Sequence, residues 1–229
     1  MRHDAPMTVV FVHGSGRAGA DAWPHQADVA EPGWQFLTRE GVADDARRDA
    51  DRVLDLLRAG GGGHVVAHSY GANAAVLAAQ LEPAAVRSLV LLEPACFDLA
   101  RGRAGVEEHV AALTPVFAVA DDASVSDREF SRLFAEGTGT EPPDVPEEQL
   151  REMVGRLRAL QPPWGVGLRT ERALTVRTLV VTGGWSPLYE ETAEALVALG
   201  ARHVTLEGVG HRVQDHARAC DVLRQHWAG

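Results

Sequence analysis

The sequence predicts an α/β protein: a mostly parallel sheet of about six strands flanked by helices, with a helical segment spliced between two of the strands. Two observations carry this. Short continuous apolar runs, the pattern of strands buried on both faces, alternate with amphipathic helical stretches along most of the chain. The alternation stops between Phe97 and about Arg172, where three helical patterns occur without a good strand, and then resumes.

The elements follow in order. Thr8–Val12, TVVFV, is the first apolar run and ends in His13-Gly14. A glycine-containing loop and a weak helix over 22–30 come next, then a second short strand, WQFL, at 34–37. Residues 44–58 are helical, with Ala46, Val53, Leu54 and Leu57 on one side and Asp and Arg on the other. Four glycines at 60–63 stop that helix. A third strand at 64–68 leads into a helix of small residues at 70–81, and a fourth strand, VRSLVLLE, covers 86–93. In the insertion, Val106, Val110, Leu113 and Phe117 share one helical face. Phe130, Leu133 and Phe134 make a second stripe; Leu150, Met153, Val154, Leu157 and Leu160 make a third. The linkers GTGTEPPDVP and QPPWGVG are rich in helix breakers. RTLVVT at Arg177–Thr182 is the fifth strand, followed by a helix at 189–199, a sixth strand at 203–207 and a closing helix at 213–227. Residues 1–96 and 173–229 are therefore expected to form one core, and 97–172 a helical lid, in a single compact unit.

Composition narrows the function. The chain has 229 residues, enough to bury a core, with 45% hydrophobic and 24% charged residues, as in ordinary soluble domains. A net charge of −10 argues against nucleic acid or an anionic membrane as partner. The two cysteines, Cys96 and Cys220, have no metal-type spacing and are expected to be free thiols in a reducing compartment. No signal-type apolar segment precedes the first strand, and no run approaches a membrane span. These features leave a cytoplasmic enzyme or binding protein; a small-molecule substrate and no metal or cofactor are expected, as a monomer or homodimer.

The chemistry centres on VVAHSYG, residues 65–71. Ser69 follows a strand and precedes a helix, with small residues, Ala67 and Gly71, two positions to either side. A sharp strand-to-helix turn crowds those two positions and holds the hydroxyl out at the carboxyl edge of the sheet. Alone, the serine could equally be a helix cap. His13-Gly14-Ser15-Gly16 after the first strand suits an oxyanion loop, with the N–H of Ser15, or else of Gly14, turned inward. The N–H of Tyr70 is the other donor expected. Among ten histidines, His211 in EGVGHRVQ stands out, because a Gly-rich loop after the last strand can carry a base to the sheet edge. His68 is expected to pack or bond locally; His64, His203, His216 and His226 read as surface or edge residues.

In this order, His13-Gly14, Ala67-His68-Ser69-Tyr70-Gly71, the helical insertion and Gly208-Val209-Gly210-His211 resemble the α/β-hydrolase superfamily over nearly the whole chain. The resemblance implies a sheet lacking the first two strands of many members. It also implies a nucleophile (Ser69), a general base (His211) and a carboxylate that orients the base. Ala67 stands where the first elbow position is usually Gly. The usual acid is an Asp after the fifth strand, but the sequence there is VVTGGWSPLYEE, and aligning Pro187 puts Ser186 at that place. A serine accepts a hydrogen bond but supplies no charge to an imidazolium. Some superfamily members, including certain haloalkane dehalogenases, take the acid from the preceding strand, and by that resemblance Glu93 in LLEPA is the candidate. Glu190, Glu191 and Asp215 are lesser ones. Trp23, Trp164 and Trp185 are expected near the catalytic edge, and Trp34 and Trp227 are expected to be structural. His13, Gly14, Phe97 and Trp185 are the expected pocket residues. The reading is a serine hydrolase for a small, largely apolar ester, thioester or lactone. Action on a carbon–carbon or amide bond, or non-hydrolytic ligand binding, are the alternatives.

Overall fold

The computed structural model describes residues 6–15, 17–38, 45–172 and 174–228. Gly16 of the glycine loop, the expected helix start at 44 and the boundary residue 173 lie outside the described residues. The strands are β1 (Thr8–Val12), β2 (Trp34–Phe36), β3 (Gly63–His68), β4 (Val86–Leu92), β5 (Arg177–Thr182) and β6 (Arg202–Thr205). They form one sheet, ordered β2-β1-β3-β4-β5-β6, in which every neighbouring pair is parallel.

Side chains alternate across this sheet, and both faces are covered. Val10, Val12, Val65, Ala67, Leu89, Leu91 and Val180 point to one face. There they meet α2 (Ala46–Ala59) through Val53, Leu54 and Leu57, α3 (Gly71–Leu81) through its alanines, and α7 (Pro187–Ala198) through Ala193 and Leu196. Val9, Phe11, Val66, Val90, Leu92, Leu179 and Val181 point to the other, against Trp23, Trp34 and α8 (Ala219–Ala228). Continuous apolar strands are the sequence signature of such a two-sided core. The weak helix expected over 22–30 is short, α1 (Pro24–Asp28), and its start at a proline fits the first helical position.

Between β4 and β5 lie α4 (Ala104–Ala118), α5 (Asp127–Thr138) and α6 (Glu147–Arg158). The three stripes read from the sequence pack together: Leu113, Val116, Phe130, Leu150 and Val154 are buried in one cluster. α5 starts with a capping Ser126, which accepts from the Glu129 N–H at 3.3 Å, and ends at Gly139 with φ of 68°. Arg158 ties the bundle by donating to the carbonyls of Ala120 at 2.8 Å and Val125 at 2.6 Å. Two carboxylates pin this segment, one by tying its start to its end and one from the core. Asp98 accepts from the N–H groups of Gly165 at 2.6 Å, Gly167 at 2.8 Å and Leu168 at 3.2 Å. Glu191 of α7 accepts from Gly105 N–H at 2.7 Å.

Two expectations are corrected. The closing helix is not continuous over 213–227: a 3₁₀ turn at Val213–Asp215 ends at His216, whose backbone is extended, and α8 begins at Ala219. The His216 ring accepts from Arg218 N–H at 3.1 Å, which favours the break. His64 and His226 are not at the surface but 5% and 4% exposed. His64 sits directly across from Ser88 in the β3–β4 register, and their side chains bond at 2.8 Å, which satisfies a buried polar pair.

The buried histidines predict an acid-sensitive fold. Burial first, then the nearby Arg87 and Arg177, lowers the His64 pKa to about 4. Burial first, then the adjacent His211, lowers that of His68 to about 3. In the unfolded chain both should titrate near 6.5. Between pH 6.5 and 4 the unfolded state therefore binds protons that the native state refuses, and stability rises with pH. The slope is about 1.4 kcal/mol per pH unit for each histidine. The expected result is a urea midpoint that is level above pH 7 and falls steadily from pH 6.5 to 4.5. A flat midpoint over that range would refute the neutral, buried state of these two rings.

Candidate active site

Ser69 occupies the turn between β3 and α3 with φ of 52°, a left-handed conformation that a non-glycine residue adopts only when its surroundings enforce it. The enforcement is visible. Its N–H donates to Leu92 O at 2.9 Å, and its carbonyl accepts from Ala95 N–H at 3.1 Å, so both backbone groups are tied to the end of β4. The small flanking residues are required. A Cβ on Gly71 would stand 2.5 Å from His13 O and 2.6 Å from Val12 O. A Cβ on Gly14 would stand 2.9 Å from Ser69 Cβ. Ala67 is fully buried beside Val12 of β1.

His211 lies past β6 in a loop bent by Gly208 (φ 94°) and Gly210 (φ 55°). Its Nε2 is 3.0 Å from Ser69 Oγ, and its Nδ1 is 3.5 Å from Glu93 Oε2. With Nδ1–H facing a carboxylate, Nε2 is the free acceptor for the serine hydroxyl. Two rings lie tilted against the imidazole, His68 at 4.7 Å and Tyr189 at 4.8 Å. His68 donates through Nε2 to His211 O at 2.8 Å. It thus bonds to a distant loop, not locally. Its burial keeps it neutral, so it adds no positive charge beside the base.

Glu93 is fully buried and directly follows β4, with φ of 45°. A buried carboxylate needs donors to offset its lost hydration. Gly183 N–H donates to Oε1 at 2.5 Å and the Trp185 indole N–H to Oε2 at 3.1 Å. Thus the GGWSP loop, which lacks an acid, instead supplies donors to the acid of the neighbouring strand. Ser186 caps the start of α7, and its carbonyl accepts from Tyr189 and Glu190 N–H. Glu190 accepts from Gly184 N–H at 3.0 Å, while Asp215 pairs with Arg212.

The other expected residues fall as follows. Tyr70 is buried, while Ser15 is exposed in the turn after β1. His13 is 2% exposed, and its Nδ1–H donates to Gly14 O at 2.7 Å. Phe97 is buried under the insertion with Val106 and Val110, edge-on to His109 at 5.2 Å. Trp185 is 52% exposed, so its tie to Glu93 is what places it in the site. Trp23 is fully buried against Phe11, while Trp34 and Trp227 pack on each other at 5.5 Å. A cavity of about 450 Å³ opens beside Tyr70, between Asp45 and Arg48 of the α2 end and Gln161, Trp164 and Val166. Tyr189 and the donor roles of Gly183 and Trp185 leave no spacing in the sequence. The one sequence signal for Tyr189 is an aromatic residue in the first turn of a helix that starts at the carboxyl edge.

Among the described residues, no group of three or more metal-binding side chains comes together, and no helix is long and apolar enough to cross a membrane. Both cysteines are free thiols, with Cys96 buried.

An all-parallel sheet with a strained serine at the end of its third strand and a histidine loop after its last defines a hydrolase-type α/β scaffold. The chain belongs to the Alpha/beta hydrolase family, whose profile matches residues 9–221. Similar solved structures include an alpha/beta hydrolase from Sphaerobacter thermophilus DSM 20745, 24% identical, covering 96% of this chain and 92% of that one, with a TM-score of 0.60. NosK from Streptomyces actuosus is 20% identical, with 97% of each chain covered and a TM-score of 0.59. A structure from work on carboxylesterases of the thaumarchaeon Nitrososphaera gargenis is 14% identical, with 98% and 91% covered and a TM-score of 0.59. At these identities the likeness is one of fold. No curated protein matches the chain.

Proposed function

We propose that the protein is a serine hydrolase that cleaves a small, largely apolar carboxylic ester, thioester or lactone through an acyl-serine intermediate. The observation that carries this reading is the position of His211, with one ring nitrogen 3.0 Å from Ser69 Oγ and the other 3.5 Å from the buried Glu93 carboxylate. In the proposed reaction Ser69 attacks the acyl carbon while His211 takes its proton. His211 then protonates the leaving group. Glu93 keeps Nδ1 protonated and stabilises the imidazolium. The N–H groups of Tyr70 and Ser15 face the developing oxyanion. Water, deprotonated by His211, releases the acid and restores Ser69.

The substrate class is argued from the aromatic side chains near the triad: Tyr189 lies against His211, and Trp185 and Phe97 neighbour Tyr189. Esterase and thioesterase chemistry among structures of the same fold, including a thioesterase domain from the curacin biosynthetic pathway, agrees with the range of leaving groups proposed. The test is a screen of p-nitrophenyl esters of two to eight carbons, with thioesters and γ- and δ-lactones, with the Ser69→Ala protein as blank. Turnover well above that blank, greatest for short apolar acyl groups, is the expected result. Rates equal to the blank across the whole panel would refute the reading.

A further inference from the structure

We propose that Trp185 is a positioning residue for the base: its indole N–H shares Glu93 Oε2 with His211 Nδ1 and so sets how readily the Glu93–His211 pair takes up a proton. The inference rests on the serine hydrolase reading above. The indole nitrogen lies 3.1 Å from Oε2, nearer than His211 Nδ1 at 3.5 Å, while Oε1 accepts from Gly183 N–H at 2.5 Å. The Trp185 ring stands edge-on to the imidazole, with centroids 6.2 Å apart and planes at 71°. Trp185 is half-exposed, yet the carboxylate that it bonds is fully buried. Burial of its own ring therefore explains little of its placement, and the bond to Oε2 explains more.

An indole N–H only donates, and it carries no charge at working pH. It draws on the negative charge of Oε2 in every protonation state of the base. Without it, that charge faces the imidazole alone, and the pair holds its proton more tightly. The two groups titrate as a unit, so the direction is the same whether the proton is counted on the ring or on the carboxylate. The acid limb of the pH–rate profile then moves to higher pH. The other titratable and charged groups around the imidazole are untouched by loss of the indole. From β3, His68 donates to His211 O, and burial keeps it neutral. From α7, burial keeps the Tyr189 phenol protonated, and Glu190 accepts from Gly184 N–H. On the histidine loop itself, Arg212 pairs with Asp215 at 2.9 Å. The indole thus tempers the buried carboxylate, which leaves the base free of its proton over a wider range of pH.

The experiment is the pH profile of kcat/KM for p-nitrophenyl acetate, measured on the full-length parent and Trp185→Phe over the range in which thermal melts show both folded. Phenylalanine keeps a ring beside His211 and removes the donor. The acid limb of Trp185→Phe should lie about one pH unit above that of the parent, the worth of one hydrogen bond to a charged group. A merely structural role would lower kcat/KM by one factor at every pH and leave the limb in place. That result, or coincident profiles, overturns the inference. A second measurement needs neither turnover nor a variant that folds. In the parent, the Trp185 indole N–H resonance should shift in one step with the ring protons of His211 as the pH is lowered. An indole resonance that stays flat through that step also overturns the inference. No p-nitrophenol release above Ser69→Ala in the folded parent overturns the hydrolase reading, and the indole titration then decides this one by itself.

Discussion

Replacing Glu93 by glutamine is expected to lower kcat about a thousandfold, while Ser186→Ala stays within twofold of the parent. The two Glu93 oxygens are committed to three donors, Gly183 N–H, the Trp185 indole N–H and His211 Nδ1. A glutamine has one acceptor oxygen and one NH₂. If the NH₂ takes the place of Oε2, it faces Trp185 and His211, and His211 must turn its proton to Nε2, where it can no longer accept from Ser69. If it takes the place of Oε1, it faces Gly183 N–H, and the neutral amide supplies no charge to the imidazolium. Loss of the charge and of the tautomer together is worth about 10³–10⁴ in kcat in triads of this kind. The mispaired donor should also cost about 1–3 kcal/mol of stability, so activity must be read below the variant's unfolding transition. Steady-state kinetics on the best screened ester, beside thermal melts, separates the two effects. Ser186 begins α7 and has no contact with His211 among the described hydrogen bonds, so its loss should leave catalysis intact.

Gly71→Ala is expected to damage both the fold and the serine turn. The added carbon would lie 2.5 Å from His13 O and 2.6 Å from Val12 O, and both neighbours are backbone at the end of β1. Neither can rotate away, so β1 and α3 must separate or Ser69 must leave its turn. The cost should reach about 3 kcal/mol, with activity falling beyond what unfolding explains. Gly155→Ala is the contrasting control. That glycine lies inside α6, and a methyl there meets nothing within 4 Å. Alanine is the better helix former by about 1 kcal/mol, so this variant should be at least as stable as the parent. Urea unfolding of the pair gives the sign and size of both effects.

Much of this site can be read from residue order alone, because its parts lie at element ends. Ser69 is exposed as a candidate by Ala67 and Gly71, which a crowded turn demands. Glu93 is exposed by its place at the end of an apolar strand, where a carboxylate needs a reason. His211 is exposed by the glycines that bend its loop. The remainder depends on loops that meet only in three dimensions. Gly183 and Trp185 serve an acid on another strand, and Tyr189 and His68 lie against a ring from yet another loop. None of those pairings leaves a spacing in the sequence. His64 shows the opposite error: a histidine in a strand reads as an edge residue until the register places Ser88 beside it. The closing helix reads as continuous because apolar spacing persists on both sides of His216, while the break is made by a local side-chain bond.

The central claim is that His211 and Glu93 activate Ser69 for attack on an acyl-type centre. Reaction with a fluorophosphonate, followed by intact mass and peptide mapping, tests it most directly, because it needs no knowledge of the substrate. The account predicts one adduct per folded chain, located on Ser69, forming at least a hundredfold more slowly in Glu93→Gln. A folded parent protein that takes up no label, or takes it up at a residue other than Ser69, would contradict it.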